Sequence, residues 1–183
     1  MFAAVILAGG GARRLSGVDK PAIEIAGRSL LDRAVASVAG ADPVVVVGPR
    51  RALAVGVRWT REDPPGAGPL AALAAGLTEV GPLPAEATVA LVAADLVNVV
   101  PDTIGRLRDG LGDAAGAVLL DAAGQRQWLL GVWRLGPLRA ALPAEVAGRS
   151  LRSVLSALPL VEVPAVGDEA ADIDTPDDLE RHR

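Results

Sequence analysis

Residues 7–21 read LAGGGARRLSGVDKP, where three consecutive glycines, Gly9, Gly10 and Gly11, precede Arg13, Arg14 and Lys20. Glycines let backbone N–H groups approach a phosphate with no side chain in the way. Cations close behind them neutralise its charge. The spacing is not that of a P-loop, because Gly17 is followed by Val18 and Asp19 before Lys20. Nor is it G-x-G-x-x-G, because Arg14 stands where the last glycine belongs. A plain surface turn would carry the same glycines and arginines, but Lys20 points to a ligand. Lys and Arg total 18, and Lys20 is the only lysine among them. An ammonium on a flexible stem reaches between phosphate oxygens as a point charge, which a guanidinium fork does not.

Acidic residues supply a second chemistry. The apolar run TVALVAA ends at Asp95. An acid at the end of a central strand is placed to hold Mg²⁺, a hard cation shared with substrate phosphates; the alternative is an aspartate that caps a loop. Near the C-terminus, ADIDTPDDL carries Asp172 and Asp174, which share a face if the segment is extended. Asp174 is a candidate second metal ligand, although Asp174-Thr175-Pro176 also reads as a helix N-cap. In TREDPPGAGPLAAL, Asp63 could accept hydrogen bonds from a base or ribose, and Gly68-Pro69 would bring a helix start close to a ligand. A rigid connection between strand and helix is the competing reading of that turn.

The elements that must position these residues alternate. Apolar runs at 2–8, 43–47, 57–59, 88–94, 115–120, 128–134 and 160–163 read as strands. Helices are expected from Ser29 to about Val38, Gly68 to Leu77, Pro101 to about Arg108, from Ser150, and over the closing TPDDLERHR. The tetrapeptide GRSL occurs at Gly27 and at Gly148, before a helix both times, and reads as cap chemistry. This alternation implies a single α/β domain over 1–183: a three-layer α/β/α sandwich with a Rossmann-like, mostly parallel sheet. Ligands then bind beyond the carboxyl ends of the strands, where every segment named above falls.

Composition removes several function classes. The chain has 183 residues, 51% of them hydrophobic but only 2% aromatic, so its core is aliphatic. The formal charge of −4 argues against a nucleic-acid partner. Cysteine is absent and His182 is the only histidine, which excludes disulfides, thiolate chemistry and a histidine-based triad. No apolar run is long enough to span a bilayer, and the apolar start lacks the charged flank of a signal peptide. A cytoplasmic protein with no membrane partner is expected.

Taken together, these stretches resemble the molybdenum cofactor guanylyltransferase family of nucleotidyltransferases. Leu7, Ala8, Gly9, Gly10, Arg14, Gly17, Asp19 and Lys20 match its L-A-G-G-x-x-x-R-x-G-G-x-D-K signature. Glu62-Asp63 and Gly68 to Ala71 match its E-D and G-P-L-A, Asp95 its aspartate after a central strand, and 172–179 its closing segment. The resemblance implies transfer of GMP from GTP to molybdopterin, or to another phosphorylated small molecule, with Mg²⁺ as cofactor and release of pyrophosphate. By position it implies nucleotide binding by Leu7, Ala8, Gly9, Gly10, Gly11, Arg14, Lys20, Asp63, Gly68 and Pro69, catalysis by Arg14, Lys20 and Asp95, and metal binding by Asp95 and Asp174. Other proteins of molybdenum cofactor biosynthesis are the implied partners. The chain departs from the family at Ser16, at Val97-Asn98, at Gln127-Trp128, and in carrying aspartates at 172 and 174. These departures leave two further readings: a cytidylyltransferase or sugar-phosphate nucleotidyltransferase, and a non-catalytic nucleotide-binding regulator.

Overall fold

The computed structural model describes residues 1–9, 19–173, 178 and 180. Among them, the strands β1 (Phe2–Leu7), β2 (Glu24–Ile25), β3 (Arg28–Ser29), β4 (Val44–Val47), β5 (Arg58–Thr60), β6 (Thr88–Ala93), β7 (Gly116–Leu120), β8 (Arg126–Arg134) and β9 (Leu160–Pro164) alternate with helices. The helices are α1 (Leu30–Ser37), α2 (Pro69–Val80), α3 (Pro101–Gly110), α4 (Leu135–Ala141) and α5 (Arg152–Leu155). The main sheet has the order β5-β4-β1-β6-β8-β7-β9. Only β8 runs against its neighbours β6 and β7; the other pairings are parallel. The three-layer, mostly parallel architecture expected from the alternation is the one observed.

Strand β1 shows why the apolar runs are continuous. Ala4 and Ile6 pack with Leu31, Val35, Ile104 and Leu107 of α1 and α3. Ala3, Val5 and Leu7 pack on the opposite face with Leu70, Leu73 and Leu77 of α2 and with Leu135 and Leu138 of α4. A strand covered on both faces needs apolar residues at every position. Close packing also explains the small residues of α2: a Cβ on Gly76 would lie 2.5 Å from Val5 Cγ1. The carbonyls at the C-terminus of α2 are met by Arg139, which donates to Leu77 O and Gly81 O, and by Arg58, which donates to Glu79 O.

Each GRSL precedes a helix, but only the first supplies its N-cap side chain; the N-cap of α5 is Leu151, with no side-chain cap. Ser29 Oγ accepts from the Asp32 amide ahead of α1, and Ser150 Oγ accepts from the Ser153 amide ahead of α5. Four features differ most from the sequence reading. The helix from Ser150 is a single turn, and the third strand lies one residue later than expected. Helix α4 begins directly after β8, where the sequence reading ended a strand at Arg134 and expected no helix before Ser150. The hairpin β2–β3 turns through Ala26 and Gly27, both at positive φ, and its two-residue strands are too short to show a period.

Candidate functional site

The parallel strands β1, β4 and β6 end at one edge of the sheet, where a cleft of about 690 Å³ opens. Its walls include Leu7, Ala8 and Gly9 after β1, Gly48, Pro49 and Arg51 after β4, Gly68 and Pro69 at the start of α2, and Ala94 and Asp95 after β6. Backbone pairing continues past the strands into this edge: Ala8 N donates to Val47 O at 2.8 Å, Ala94 N to Leu7 O at 3.0 Å and Gly48 N to Thr60 O at 2.9 Å. The floor of the cleft is therefore an extension of the sheet. Gly48 makes this approach possible. It has φ +148, and a Cβ there would sit 2.7 Å from the carbonyl oxygen of Ala8.

Lys20 lines the cleft and begins a single 3-10 turn, Lys20–Ala22. The residue before it, Asp19, is gripped by Arg51, whose Nε donates to Oδ2 at 2.8 Å and whose Nη2 donates to Oδ1 at 2.6 Å. These hydrogen bonds hold the Asp19 carboxyl below its ordinary range, against a smaller opposing push from burial.

Asp95 is half-buried and lines the same cleft. Its loop carries a C-terminal strap, residues 165–173. Val97 N donates to Ala171 O, Ile173 N donates to Asp95 O, and Leu96 and Asp172 form an antiparallel bridge. Val97 and Ile173 pack with Ile25 and Leu30 in a small apolar cluster, and Asn98 Nδ2 donates to Asp168 O. So Val97 and Asn98, where the chain departs from the family pattern, are the residues that hold the strap to the Asp95 loop. Glu169 anchors the strap's other end. Only 6% exposed, it accepts from Thr103 Oγ1, from both terminal nitrogens of Arg106 and from Val166 N. Mg²⁺ takes oxygen ligands, commonly one or two carboxylates completed by phosphate oxygens and water. A half-buried aspartate on the wall of a cleft fits that donor requirement. Among the described residues there is no group of three or more His, Cys, Asp or Glu suited to a metal.

Of the residues singled out from sequence, Leu7, Ala8, Gly9, Lys20, Gly68, Pro69 and Asp95 come together in this cleft. Gly10, Gly11, Arg14 and Asp174 lie outside the described residues. Asp63 is exposed and is not among the residues lining the cleft, whereas its neighbour Glu62 lines it. Successive residues leave an extended chain on opposite sides, and it is Glu62 that turns inward, with Oε1 accepting from Gly66 N at 3.0 Å. Sequence reasoning placed the stretch from Gly48 to Arg51 at a strand end but gave Arg51 no role. The signal available was its position in the loop directly after a parallel strand.

Residues 4–163 match the family described as MobA-like NTP transferase domain. The chain belongs to this family. It is accordingly a nucleotidyltransferase. Among curated proteins, this MobA-like chain is 34% identical over 157 residues to the molybdenum cofactor guanylyltransferase of Bradyrhizobium sp. (strain ORS 278), covering 82% of its own length and 74% of the relative's. Among solved structures, Mycobacterium tuberculosis Rv0371c in complex with manganese superposes with a TM-score of 0.74 at 20% identity, over 98% of this chain and 96% of that one. The 2-C-methyl-D-erythritol 4-phosphate cytidylyltransferase of Francisella tularensis superposes with a TM-score of 0.77 at 17% identity, over 98% and 97%. At such identities the two structures establish the fold alone.

Proposed function

We propose that this MobA-like nucleotidyltransferase transfers GMP from GTP to the terminal phosphate of molybdopterin and releases pyrophosphate. The observation that carries the proposal is the meeting, in one cleft, of the glycine-bearing end of β1, the only lysine of the chain and the Asp95 carboxylate. The identity to a molybdenum cofactor guanylyltransferase supports GTP and molybdopterin as the substrates. The backbone of Leu7 to Gly9 carries the nucleotide, with Gly10, Gly11, Gly68 and Pro69 beside it. Lys20 and Arg14 neutralise its phosphates as charge builds in the transition state. Asp95, with Asp174, would hold Mg²⁺, which would supply charge stabilisation to the reacting phosphates. The acceptor phosphate is already an anion. It attacks the α-phosphorus of GTP, a P–O bond forms, the bond to the β-phosphate breaks, and pyrophosphate leaves with the electron pair. No protein base is required, so positioning and charge account for the catalysis.

The test is calorimetric binding of GTP, CTP, ATP and UTP with Mg²⁺ to the wild type and to Asp95→Ala, followed by pyrophosphate release with molybdopterin. A Mg²⁺-dependent preference for GTP, lost in Asp95→Ala, is the expected result. The aspartates at 172 and 174 favour the second reading, a cytidylyltransferase or sugar-phosphate enzyme, and a CTP preference would establish it over the first. Nucleotide binding without pyrophosphate release from any acceptor would leave the protein a regulator.

A further inference from the structure

We propose that Arg51 is a positioning residue for the nucleotide phosphates, acting through Asp19 to set where Lys20 enters the cleft. The inference rests on the nucleotidyltransferase reading of the cleft and adds a residue to it. The Arg51 guanidinium joins three segments of chain that are distant in sequence. Besides the two bonds to Asp19, Nη1 donates to Ala8 O at 3.2 Å and to Pro49 O at 3.0 Å. One side chain thus ties the end of β1, the loop after β4 and the residue before Lys20 into a single unit. Its own side chain is 14% exposed and that of Asp19 is 52% exposed, so the cation sits inside and the carboxylate at the rim.

The consequence for Lys20 follows from the chain. The Asp19 carbonyl accepts from Ala22 N at 2.9 Å, and the Lys20 carbonyl accepts from Ile23 N at 3.0 Å. Asp19 is therefore the origin of the turn from which Lys20 projects. Holding its carboxylate by two parallel bonds restrains both the position and the direction of that origin. A guanidinium fork can grip a carboxylate in this way; an ammonium makes a point contact. Pairing also has an electrostatic consequence. An unpaired aspartate at the mouth of a polyphosphate site repels the ligand, and Arg51 cancels that charge. The cleft thus uses the two cation types differently, arginine to hold the protein and lysine to meet the phosphate.

The experiment compares Arg51→Lys in the wild-type and Lys20→Ala backgrounds, reading Mg²⁺–GTP affinity by calorimetry and the unfolding midpoint of each variant. If Arg51 works through Lys20, Arg51→Lys weakens binding about tenfold in the wild type and less than about twofold once Lys20 is gone, because coupled residues are non-additive. Asp19→Asn, which removes the rim charge, recovers part of the affinity lost in Arg51→Ala. A similar loss in both backgrounds would overturn the inference. That pattern would mean that Arg51 touches the phosphates itself or only stabilises the fold, and the unfolding midpoints distinguish those two. If the wild type binds GTP and Arg51→Lys binds it equally, the inference fails alone. If the wild type binds none of the four nucleotides, the nucleotidyltransferase reading of the cleft fails with it.

Discussion

Glycines at the cleft separate into two kinds, and substitution by alanine distinguishes them. Among the described residues, a Cβ on Gly9 would have its nearest neighbour at 3.8 Å, an ordinary contact. Packing against the described residues therefore does not require glycine there, and under the proposed function its use would be to leave room for the nucleotide. Gly9→Ala should unfold at the wild-type temperature yet bind nucleotide at least about tenfold more weakly, as expected where a side chain blocks backbone N–H groups from a phosphate. Gly48 is the opposite case. Its positive φ and the 2.7 Å approach to Ala8 O make a side chain there a strain on the fold. Gly48→Ala should cost more than about 1 kcal/mol in chemical denaturation. A third glycine, Gly116, faces the fully buried ring of Trp133, where a Cβ would come within 2.2 Å of a ring carbon. Gly116→Ala should cost about 1–3 kcal/mol as overpacking and shift the tryptophan emission. Unchanged stability in Gly48→Ala and Gly116→Ala would contradict the packing argument. Lys20 obeys a different rule from any of these. Lys20→Arg preserves charge but replaces a point donor with a fork, and turnover of GTP should fall sharply; normal turnover would remove Lys20 from the phosphate site.

Among the elements, the strap that bridges to the Asp95 loop is anchored to α3 by one carboxylate, Glu169. Burial alone would raise the Glu169 pKa, but the hydrogen bonds from Arg106, Thr103 and Val166 outweigh it, and the carboxyl ends below its ordinary value of 4.5. A group depressed in the folded state contributes stability above its unfolded pKa and loses that contribution as pH falls through the folded value. Glu169→Gln should therefore be less stable than wild type at neutral pH, by about 1–3 kcal/mol for a broken buried network. The gap should narrow as pH drops below the ordinary glutamate value of 4.5. Urea titrations of both proteins across this range check the sign. A gap that widens in acid would mean the carboxylate is not held ionised. Because the strap is tied to the loop of Asp95, the same variant should also raise the Mg²⁺ concentration needed for half-maximal nucleotide binding.

Seen as a whole, the molecule places its cleft where strands of the same direction end together. A nucleotide held there, as proposed, would contact the ends of β1, β4 and β6 and the start of α2, which line the cleft. Binding should then stabilise the fold as a unit. At about a hundred times its Kd, Mg²⁺–GTP is expected to add about 2.7 kcal/mol to global stability. Thermal unfolding with each of the four nucleotides would read this directly. Equal shifts with all four would argue against base selection, and a shift with CTP alone would favour the cytidylyl reading.

The sequence by itself determined the layered architecture, because strands buried on both faces must be apolar, and β1, β4 and β6 after Thr88 are. It also located the cleft residues that act through the backbone or stand beside a strand end: Leu7 to Gly9, Gly68, Pro69 and Asp95. Lys20 stood out because its residue type is used nowhere else. These signals are local, carried by residue type and short spacing. Only the tertiary structure decided which charges meet. Arg51 and Asp19 are 32 positions apart, and Glu169 meets Thr103 and Arg106 across 66 and 63. It also decided that Glu62 and not Asp63 turns into the cleft. The physical reason is common to all of them. A side-chain ion pair depends on the register and curvature of distant segments to within an ångström or so, whereas hydrophobic periodicity needs only that each segment find the core.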